Sequence, residues 1–220
     1  MIKVIVFDFD GVIVDSPKLK QDAWFDFFPE TYTEGHAAVQ KVFASLQEQE
    51  SRYTIFRAIL KELQTPEHRI EPLVVRYADA YSKKVESKII ERGCVAGALE
   101  AIKDLSGQYS LYINSGTPED ALIRILERLD IRKYFKEVYG RPITQDGGIL
   151  AAKQGNFEKI LERERVSAHE MVLIGDSDTD VKAAEEVGCA FVGVRNEMNA
   201  WDEHKPFPVV HNVLDIKRYI

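Results

Sequence analysis

Positions 4–16 read VIVFDFDGVIVDS, and this stretch decides the fold. Its apolar, mostly β-branched start predicts a buried strand, and Asp8 and Asp10 follow at the end of that strand. Gly11 then marks a sharp departure from extended backbone. Carboxylates this close together repel one another and are costly when partly buried, unless a divalent cation or a cationic side chain compensates them. We therefore expect the rest of the chain to supply positive charge.

The composition is that of a soluble globular protein. The 220 residues are 45% hydrophobic and 30% charged, which suits one substantial domain or one domain with an insertion. No apolar run is long enough for a membrane span and the N-terminus does not read as a signal peptide, so we expect a cytoplasmic protein. The net charge of −7 argues against a nucleic-acid surface. The sequence predicts no particular oligomeric state.

The chain after the first strand falls into two parts. Positions 17–95 read as helical, with Ser16 as a predicted N-cap and helices predicted over 17–28, 34–46, 52–63 and 70–85. Beyond them, short apolar runs alternate with amphipathic helices, a pattern that predicts a parallel α/β sheet with helices on both faces. The predicted strands are 110–114, 137–139, 171–174, 190–194 and 209–210, and the predicted helices are 98–105, 118–129, 155–163, 178–187 and 213–219.

Ligands of parallel sheets bind beyond the carboxyl ends of the strands. The polar residues at those ends are Asp8 and Asp10, then 114–117, 175–177 and 195–196. The helical stretch separates the first two groups, so it must leave the sheet and return near its active edge. We therefore predict a catalytic core over 1–15 and 96–220 and a helical cap, placed as a lid, over 16–95.

Ser115 and Gly116 lie where a strand turns into a helix. Thr117 is predicted as the N-cap of that helix, with Asp120 completing a pattern like a capping box. Free amides at a helix N-terminus favour an anion, so a phosphoryl group could lie against Ser115 and these amides. A well-capped helix explains Thr117 and Asp120 without any ligand, but it leaves Asn114 and Ser115 unexplained.

A second acidic group follows the strand predicted at 171–174. Asp176 and Asp180 can face the same space at the entrance of the next helix, and Mg²⁺ prefers such oxygen ligands. Aspartates in a first helical turn also complement the helix dipole, which is the interpretation we favour for Asp178. Asp176 precedes the helix and is better explained as a ligand. Asp180 lies between these cases, and we favour a functional role.

Lys153 precedes a helix that Asn156 is predicted to cap. A cation is disfavoured at a helix N-terminus, so a lysine there indicates an acidic pocket nearby. A solvated loop lysine is the competing interpretation. The position of Lys153 between Ser115 and the second acidic group favours the functional one.

The chain resembles the haloacid dehalogenase-like hydrolase superfamily in four motifs, which follow the order of that superfamily across almost the whole chain: Asp8 with Asp10, Ser115, Lys153, and Asp176 with Asp180. The resemblance implies a Rossmann-like core, a small flap after Asp10 and a helical cap. It further implies a Mg²⁺-dependent phosphatase that acts on a small phosphorylated metabolite through an aspartyl-phosphate intermediate.

The resemblance also implies the role of each motif residue. Asp8 is the nucleophile, Asp10 is the general acid and base, and Ser115 and Gly116 hold phosphoryl oxygens. Lys153 balances charge between nucleophile and substrate. The implied metal site consists of Asp8, the Asp10 carbonyl, Asp176 and Asp180, where Asp180 orients either metal-bound waters or Lys153.

Two departures from the family pattern bear on the reaction and its substrate. Lys153 is followed by Gln154 and Gly155 where the family usually continues through prolines, and Lys20 stands where β-phosphoglucomutases carry a histidine. The second departure favours a phosphatase over a phosphomutase, although Trp24 matches a cap tryptophan of such mutases. Our candidates for leaving-group contacts from the cap are Lys20, Arg52, Tyr53 and Arg57, and amphipathic surface helices explain all four without a function.

Other readings of the chain stay open. Phosphoglycolate, a sugar phosphate and a nucleotide are all possible substrates. A non-catalytic module that binds phosphate or protein is the remaining alternative, and retention of every motif residue argues against it.

Overall fold

The computed structural model describes residues 1–29, 31–46, 50–141 and 149–220, and it divides the chain into two compact units. Met1–Pro17 and Ile89–Ile220 form one unit, which we call the sheet unit. Lys18–Lys88 forms the other, which we call the helical unit. The helical unit lies within the range 16–95 predicted as a cap, and its role as a cap stays a prediction.

The sheet unit contains six parallel strands in the order β3-β2-β1-β4-β5-β6. With helices on both faces, this arrangement confirms the predicted Rossmann-like α/β fold. The strands are β1 Val4–Phe7, β2 Ser110–Pro118, β3 Glu137–Arg141, β4 Met171–Gly175, β5 Ala190–Val194 and β6 Val209–Val210.

The helices follow the predicted order, with shifted ends. They are α1 Pro17–Phe27, α2 Thr33–Ser45, α3 Arg52–Glu62, α4 Glu67–Arg92, α5 Ala98–Ser106, α6 Glu119–Arg128, α7 Ile149–Glu164 and α8 Asp178–Val187. Short 3₁₀ helices cover Arg132–Tyr134, Ala168–Glu170 and Val213–Arg218, and the last of them replaces the C-terminal α-helix predicted at 213–219. Among the described residues, no helix is both long enough and apolar enough to cross a bilayer.

Strand β1 lies at the centre of the sheet because it is apolar on both faces. All four of its residues are buried, and Val4 pairs with Ser110 of β2 and with Met171 of β4. Burying a large apolar side chain contributes about 1.5–3 kcal/mol, so this strand is strongly held. Since β2 and β4 flank it, the carboxyl ends of three strands meet beside Asp8.

Aromatic rings pack against one another inside the helical unit. The Trp24 ring lies 4.6 Å from the Phe56 ring and 4.3 Å from the Tyr81 ring, measured between centroids. Aromatic pairs at such distances contribute about 0.5–1.5 kcal/mol beyond their area burial. Charged pairs such as Arg57 with Glu71 lie on the exposed surface of this unit. Aromatic packing thus contributes to the core of this unit, together with buried aliphatic residues such as Val39 and Ile59.

Candidate active site

Three carboxylates meet where β1 and β4 end. One oxygen from each of Asp8, Asp176 and Asp180 lies within 4.8 Å of the others, and all three side chains are buried. This edge is also where the chain order of the strands reverses around β1, the usual place for a ligand in such sheets. The structure therefore brings together the acidic groups that the sequence predicted at the strand ends.

Lys153 supplies positive charge to this acidic cluster. Its Nζ lies 2.6 Å from Asp180 Oδ1, to which it donates a hydrogen bond, and 3.2 Å from Asp8 Oδ1. The contact with Asp8 is an ion pair without hydrogen-bond geometry, and Asp8 Oδ1 has no hydrogen-bond partner among the described residues. One buried lysine thus faces three buried carboxylates, which leaves the cluster short of positive charge.

This imbalance appears in the pKa values of the cluster. Burial raises the pKa of Asp8 to about 7; Lys153 opposes the shift, while Asp180 and Asp10 add to it. Burial likewise raises the pKa of Asp176 to about 8, with further contributions from Asp8 and Asp180. Burial by itself would lower the pKa of Lys153, but Asp180 and Asp8 outweigh that effect and hold it above its usual range. A further cation would offset the repulsion among these carboxylates.

The residues present fit a divalent metal ion such as Mg²⁺. The donors are hard oxygen ligands, and the unpartnered Oδ1 of buried Asp8 is available for coordination. The oxygens of Asp180 are already engaged: Oδ1 accepts from Lys153, and Oδ2 accepts from the backbone and hydroxyl of Ser177. These contacts indicate that Asp180 holds Lys153 in place and argue against Asp180 as a direct metal ligand.

Asp10 is held by two hydroxyl groups. Ser16 Oγ donates to Asp10 Oδ1, and Thr117 Oγ1 donates to Asp10 Oδ2 over 2.7 Å. Gly11 turns the chain here with φ +75°, and its amide donates to Val14 O over 2.8 Å. The prediction that Thr117 caps a helix is wrong, because β2 continues to Pro118 and no side chain caps α6. Its hydroxyl binds Asp10 instead.

Ser115 lies buried within β2, three residues before its end, where the pairing with β3 is irregular between Asn114 and Pro118. Its Oγ accepts a hydrogen bond from the Thr117 amide over 3.1 Å, which fixes the local turn of the backbone around Gly116. The structure places Ser115 at the same sheet edge as Asp8, since β1 and β2 are parallel neighbours. Its proposed contact with a phosphoryl group stays a prediction.

The prediction that Asn156 caps a helix after Lys153 is wrong. Helix α7 begins at Ile149, so Lys153 and Asn156 both lie within it. Asn156 Nδ2 donates to Asn114 Oδ1 over 3.1 Å, and Asn114 Nδ2 donates to the carbonyl of Lys153 over 2.8 Å. Asn114, which the sequence left unexplained, thus connects β2 to α7 beside Lys153.

Two residues beyond β5 contact Asp176. Asn196 Nδ2 lies 2.5 Å from Asp176 Oδ2, and Asn199 Nδ2 donates to the Asp176 carbonyl over 2.8 Å. Asn196 was among the polar residues noted at the strand ends, whereas Asn199 was missed. Asn199 lies outside any strand and belongs to no motif, so the sequence alone gave no reason to place it near Asp176.

Lys20 and Arg52 belong to the helical unit. The Lys20 carbonyl accepts from the Tyr81 hydroxyl over 2.9 Å, and Arg52 Nη1 donates to Ser82 Oγ. Arg52 Nε is buried without a hydrogen-bond partner among the described residues. Their assignment to substrate binding stays a prediction.

Comparison with known proteins identifies the family to which this chain belongs. The family model for haloacid dehalogenase-like hydrolases matches residues 2–188. A phosphoglycolate phosphatase of Vibrio parahaemolyticus is 26% identical over 209 residues, covering 88% of this chain and 83% of that protein.

Two solved structures show the same fold. A HAD-hydrolase of Bacillus subtilis, solved bound to magnesium, is 18% identical with a TM-score of 0.68, covering 99% of this chain and 98% of that one. A β-phosphoglucomutase of Clostridium difficile is 20% identical with a TM-score of 0.67, covering 100% of this chain and 95% of that one.

Proposed function

This chain belongs to the haloacid dehalogenase-like hydrolase family and is one of its phosphatases, and we propose that it hydrolyses a small phosphorylated metabolite with Mg²⁺ through an aspartyl-phosphate intermediate on Asp8. The observation that carries the proposal is the buried carboxylate of Asp8. Its Oδ1 has no hydrogen-bond partner among the described residues, and Lys153 lies 3.2 Å from that same oxygen. A nucleophile needs such a free oxygen lone pair near compensating charge.

In the first step, a carboxylate oxygen of Asp8 forms a bond to phosphorus as the bond from phosphorus to the leaving oxygen breaks. Asp10 in its acid form gives its proton to that leaving oxygen. Proton transfer of this kind contributes about 10²–10⁴-fold to the rate. The products of the step are the dephosphorylated metabolite and the acyl phosphate of Asp8.

In the second step, a water oxygen forms a bond to phosphorus as the bond from phosphorus to Asp8 breaks. The Asp10 carboxylate takes a proton from this water. Inorganic phosphate leaves, Asp8 is again a carboxylate and Asp10 is again an acid. The hydroxyls of Ser16 and Thr117 hold the Asp10 carboxylate as hydrogen-bond donors, which suits the state that accepts the proton.

The other site residues bind the phosphoryl group or compensate its negative charge. Ser115 and the Gly116 amide are assigned to phosphoryl oxygens, and Lys153 offsets the negative charge of nucleophile and substrate. Asp180 keeps Lys153 in position through their 2.6 Å hydrogen bond.

Mg²⁺ would be held by the carboxylates of Asp8 and Asp176 and by the carbonyl of Asp10. When bound, it supplies positive charge that offsets the repulsion between the Asp8 carboxylate and the anionic phosphoryl group. The cluster's shortage of positive charge supports this assignment, and a hydrolase with the same fold was solved bound to magnesium.

Phosphoglycolate is one candidate substrate, because the Vibrio relative is a phosphoglycolate phosphatase. Sugar phosphates are another, because a β-phosphoglucomutase shares the fold. A mutase reaction on such a sugar is the second candidate function, and Lys20 in place of the mutase histidine disfavours it.

The test is a screen of small phosphorylated metabolites: phosphoglycolate, hexose phosphates and nucleoside monophosphates. We expect phosphate release with Mg²⁺, loss of activity on chelation, and a loss of at least about 10⁴-fold in Asp8→Asn, as when a covalent nucleophile is removed. Asp178→Asn is the matched control, since Asp178 is exposed in the first turn of α8. It should retain activity within about twofold.

The screen also separates the alternatives. Retained turnover in Asp8→Asn would show that the proposed nucleophile is wrong. An isomeric sugar phosphate in place of free phosphate would identify a mutase. Absence of turnover on the whole panel, with the protein folded, would favour a binding module.

A further inference from the structure

The loop after β5 carries two asparagines that both reach Asp176. Asn196 Nδ2 donates to Asp176 Oδ2 over 2.5 Å, and Asn199 Nδ2 donates to the Asp176 carbonyl over 2.8 Å. Asn199 Nδ2 also donates to the carbonyl of Val194, the last residue of β5, over 2.9 Å. One loop thus holds both the side chain and the backbone of Asp176.

The orientation of both amides follows from their other hydrogen bonds. Asn196 Oδ1 accepts from the amides of Met198 and Asn199 over 2.9 and 3.1 Å. Asn199 Oδ1 accepts from the amides of Asn196 and Trp201 over 3.2 and 3.0 Å. Because the oxygens face backbone N–H groups, the NH₂ groups are the ones directed at Asp176.

The loop is anchored at its far end by Trp201. This side chain is buried, and its ring lies 5.2 Å from Phe207 and 6.2 Å from Phe191 between centroids. Gly193 of β5 allows this packing, because a Cβ there would lie 2.9 Å from the Trp201 ring. The packing of Trp201 therefore holds in place the loop that carries Asn196 and Asn199.

Gly11 also limits the space around the Asp176 carboxylate. A Cβ at Gly11 would lie 1.9 Å from Asp176 Oδ2 and 2.7 Å from Asn196 Nδ2. The carboxylate of Asp176 and the amide of Asn196 thus pack directly against the backbone of the loop that follows β1. This contact, together with the hydrogen bond, restricts rotation of the carboxylate.

We propose that Asn196 and Asn199 are positioning residues that fix Asp176 in the orientation that a divalent cation requires. The inference rests on the proposed function, because it concerns the metal site of that function. Groups that hydrogen-bond to a metal ligand and orient it are typically worth about 10–100-fold in metal affinity. A carboxylate already fixed by its neighbours loses less conformational freedom when it binds a cation.

The test measures Mg²⁺ binding directly, by calorimetric titration of the full chain without substrate. Asn196→Ala and Asn199→Ala should each weaken Mg²⁺ binding by about 10–100-fold. Asn212→Ala is the matched control: its side chain accepts from the Leu214 amide over 2.9 Å, the same kind of turn hydrogen bond. In the described part of the chain, no hydrogen bond joins Asn212 to the acidic cluster, so its Mg²⁺ affinity should stay within about twofold of wild type.

A further variant guards against loss of the loop itself. Asn196→Ser keeps an oxygen that can accept from the turn but removes the NH₂ that reaches Asp176, so it should weaken Mg²⁺ binding like Asn196→Ala. If the Asn196 variants bind Mg²⁺ as tightly as Asn212→Ala, the inference is wrong while the proposed function stands. If wild-type protein binds no Mg²⁺, the Mg²⁺ dependence in the proposed function is wrong, and the inference is overturned along with it.

Discussion

The sheet unit and the helical unit bury different kinds of side chain. Among the described residues, the charged and amide residues that are buried as a whole all belong to the sheet unit: Asp8, Asn114, Lys153, Asn156, Asp176 and Asp180. The interior of the helical unit packs rings such as Trp24, Phe56 and Tyr81 against aliphatic side chains. Burying polar groups costs free energy unless they are paired, so a cluster of them indicates a functional site. An aromatic interior marks only a stable fold, and it does not reveal a substrate.

The largest expected effect concerns the aromatic residues inside the helical unit. Phe56 is fully buried at the centre of the helical unit, so Phe56→Ala should lower the free energy of unfolding by about 3–5 kcal/mol. Val75→Ala is the control, because Val75 is 60% exposed on α4 and should change it by less than about 0.5 kcal/mol. Urea unfolding measures both. A loss below about 1 kcal/mol in Phe56→Ala would mean that the rings do not carry the stability of this unit.

The next effect tests the polar side. Lys153→Met keeps the bulk of the side chain but removes the charge that faces Asp8 and Asp180, so kcat should fall by about 10²–10³-fold, or about 2.7–4 kcal/mol. Lys159→Met is the control, since Lys159 is exposed on the same helix. Steady-state kinetics, corrected for the folded fraction, would check this. Equal kcat values in the two variants would contradict the role given to Lys153.

The smallest effect concerns pH in the protein freed of metal. Unfolded Asp8 and Asp176 lose their protons near pH 3.8, whereas in the fold burial raises their pKa values to about 7 and about 8. The folded state therefore binds more protons between these limits, and the free energy of unfolding falls as pH rises. From pH 6 to 7 each group should contribute a loss of about 1 kcal/mol, or about 2 kcal/mol together.

Urea unfolding at pH 6.0, 6.5 and 7.0 in the presence of a chelator measures this slope. Asp176→Asn cannot titrate at that position and should show about half of the wild-type slope. Stability that rises with pH in the chelated wild type would contradict the charge imbalance assigned to the cluster.

The parts of the site that the sequence predicted are those governed by local pattern. Asp8 and Asp176 each follow an apolar run, so their place at the sheet edge followed from strand prediction alone. Lys153 was expected before a helix because Asn156 was predicted as the N-cap of that helix. In the structure Asn156 instead lies inside the helix, where it hydrogen-bonds to Asn114, and Phe157 is buried in the core.

The parts that could not be predicted depend on contacts between distant positions. Thr117 looked like a helix cap, yet its hydroxyl binds Asp10, which lies 107 positions away in the chain. Asn199 binds Asp176 across 23 positions through a loop of no regular structure. A single sequence records neither contact, because side-chain partners of this kind depend on how the strands are ordered in the sheet.

The central position of β1 also sets the order in which the molecule can be assembled during synthesis. Strand β1 leaves the ribosome before its neighbour β4, which ends at Gly175, 168 positions after Phe7. At about 5–20 residues per second, that interval is about 8–34 s. Throughout it, the apolar strand that precedes Asp8 lacks one of its two pairing partners. The proposed nucleophile is thus made well before the strand that completes its surroundings.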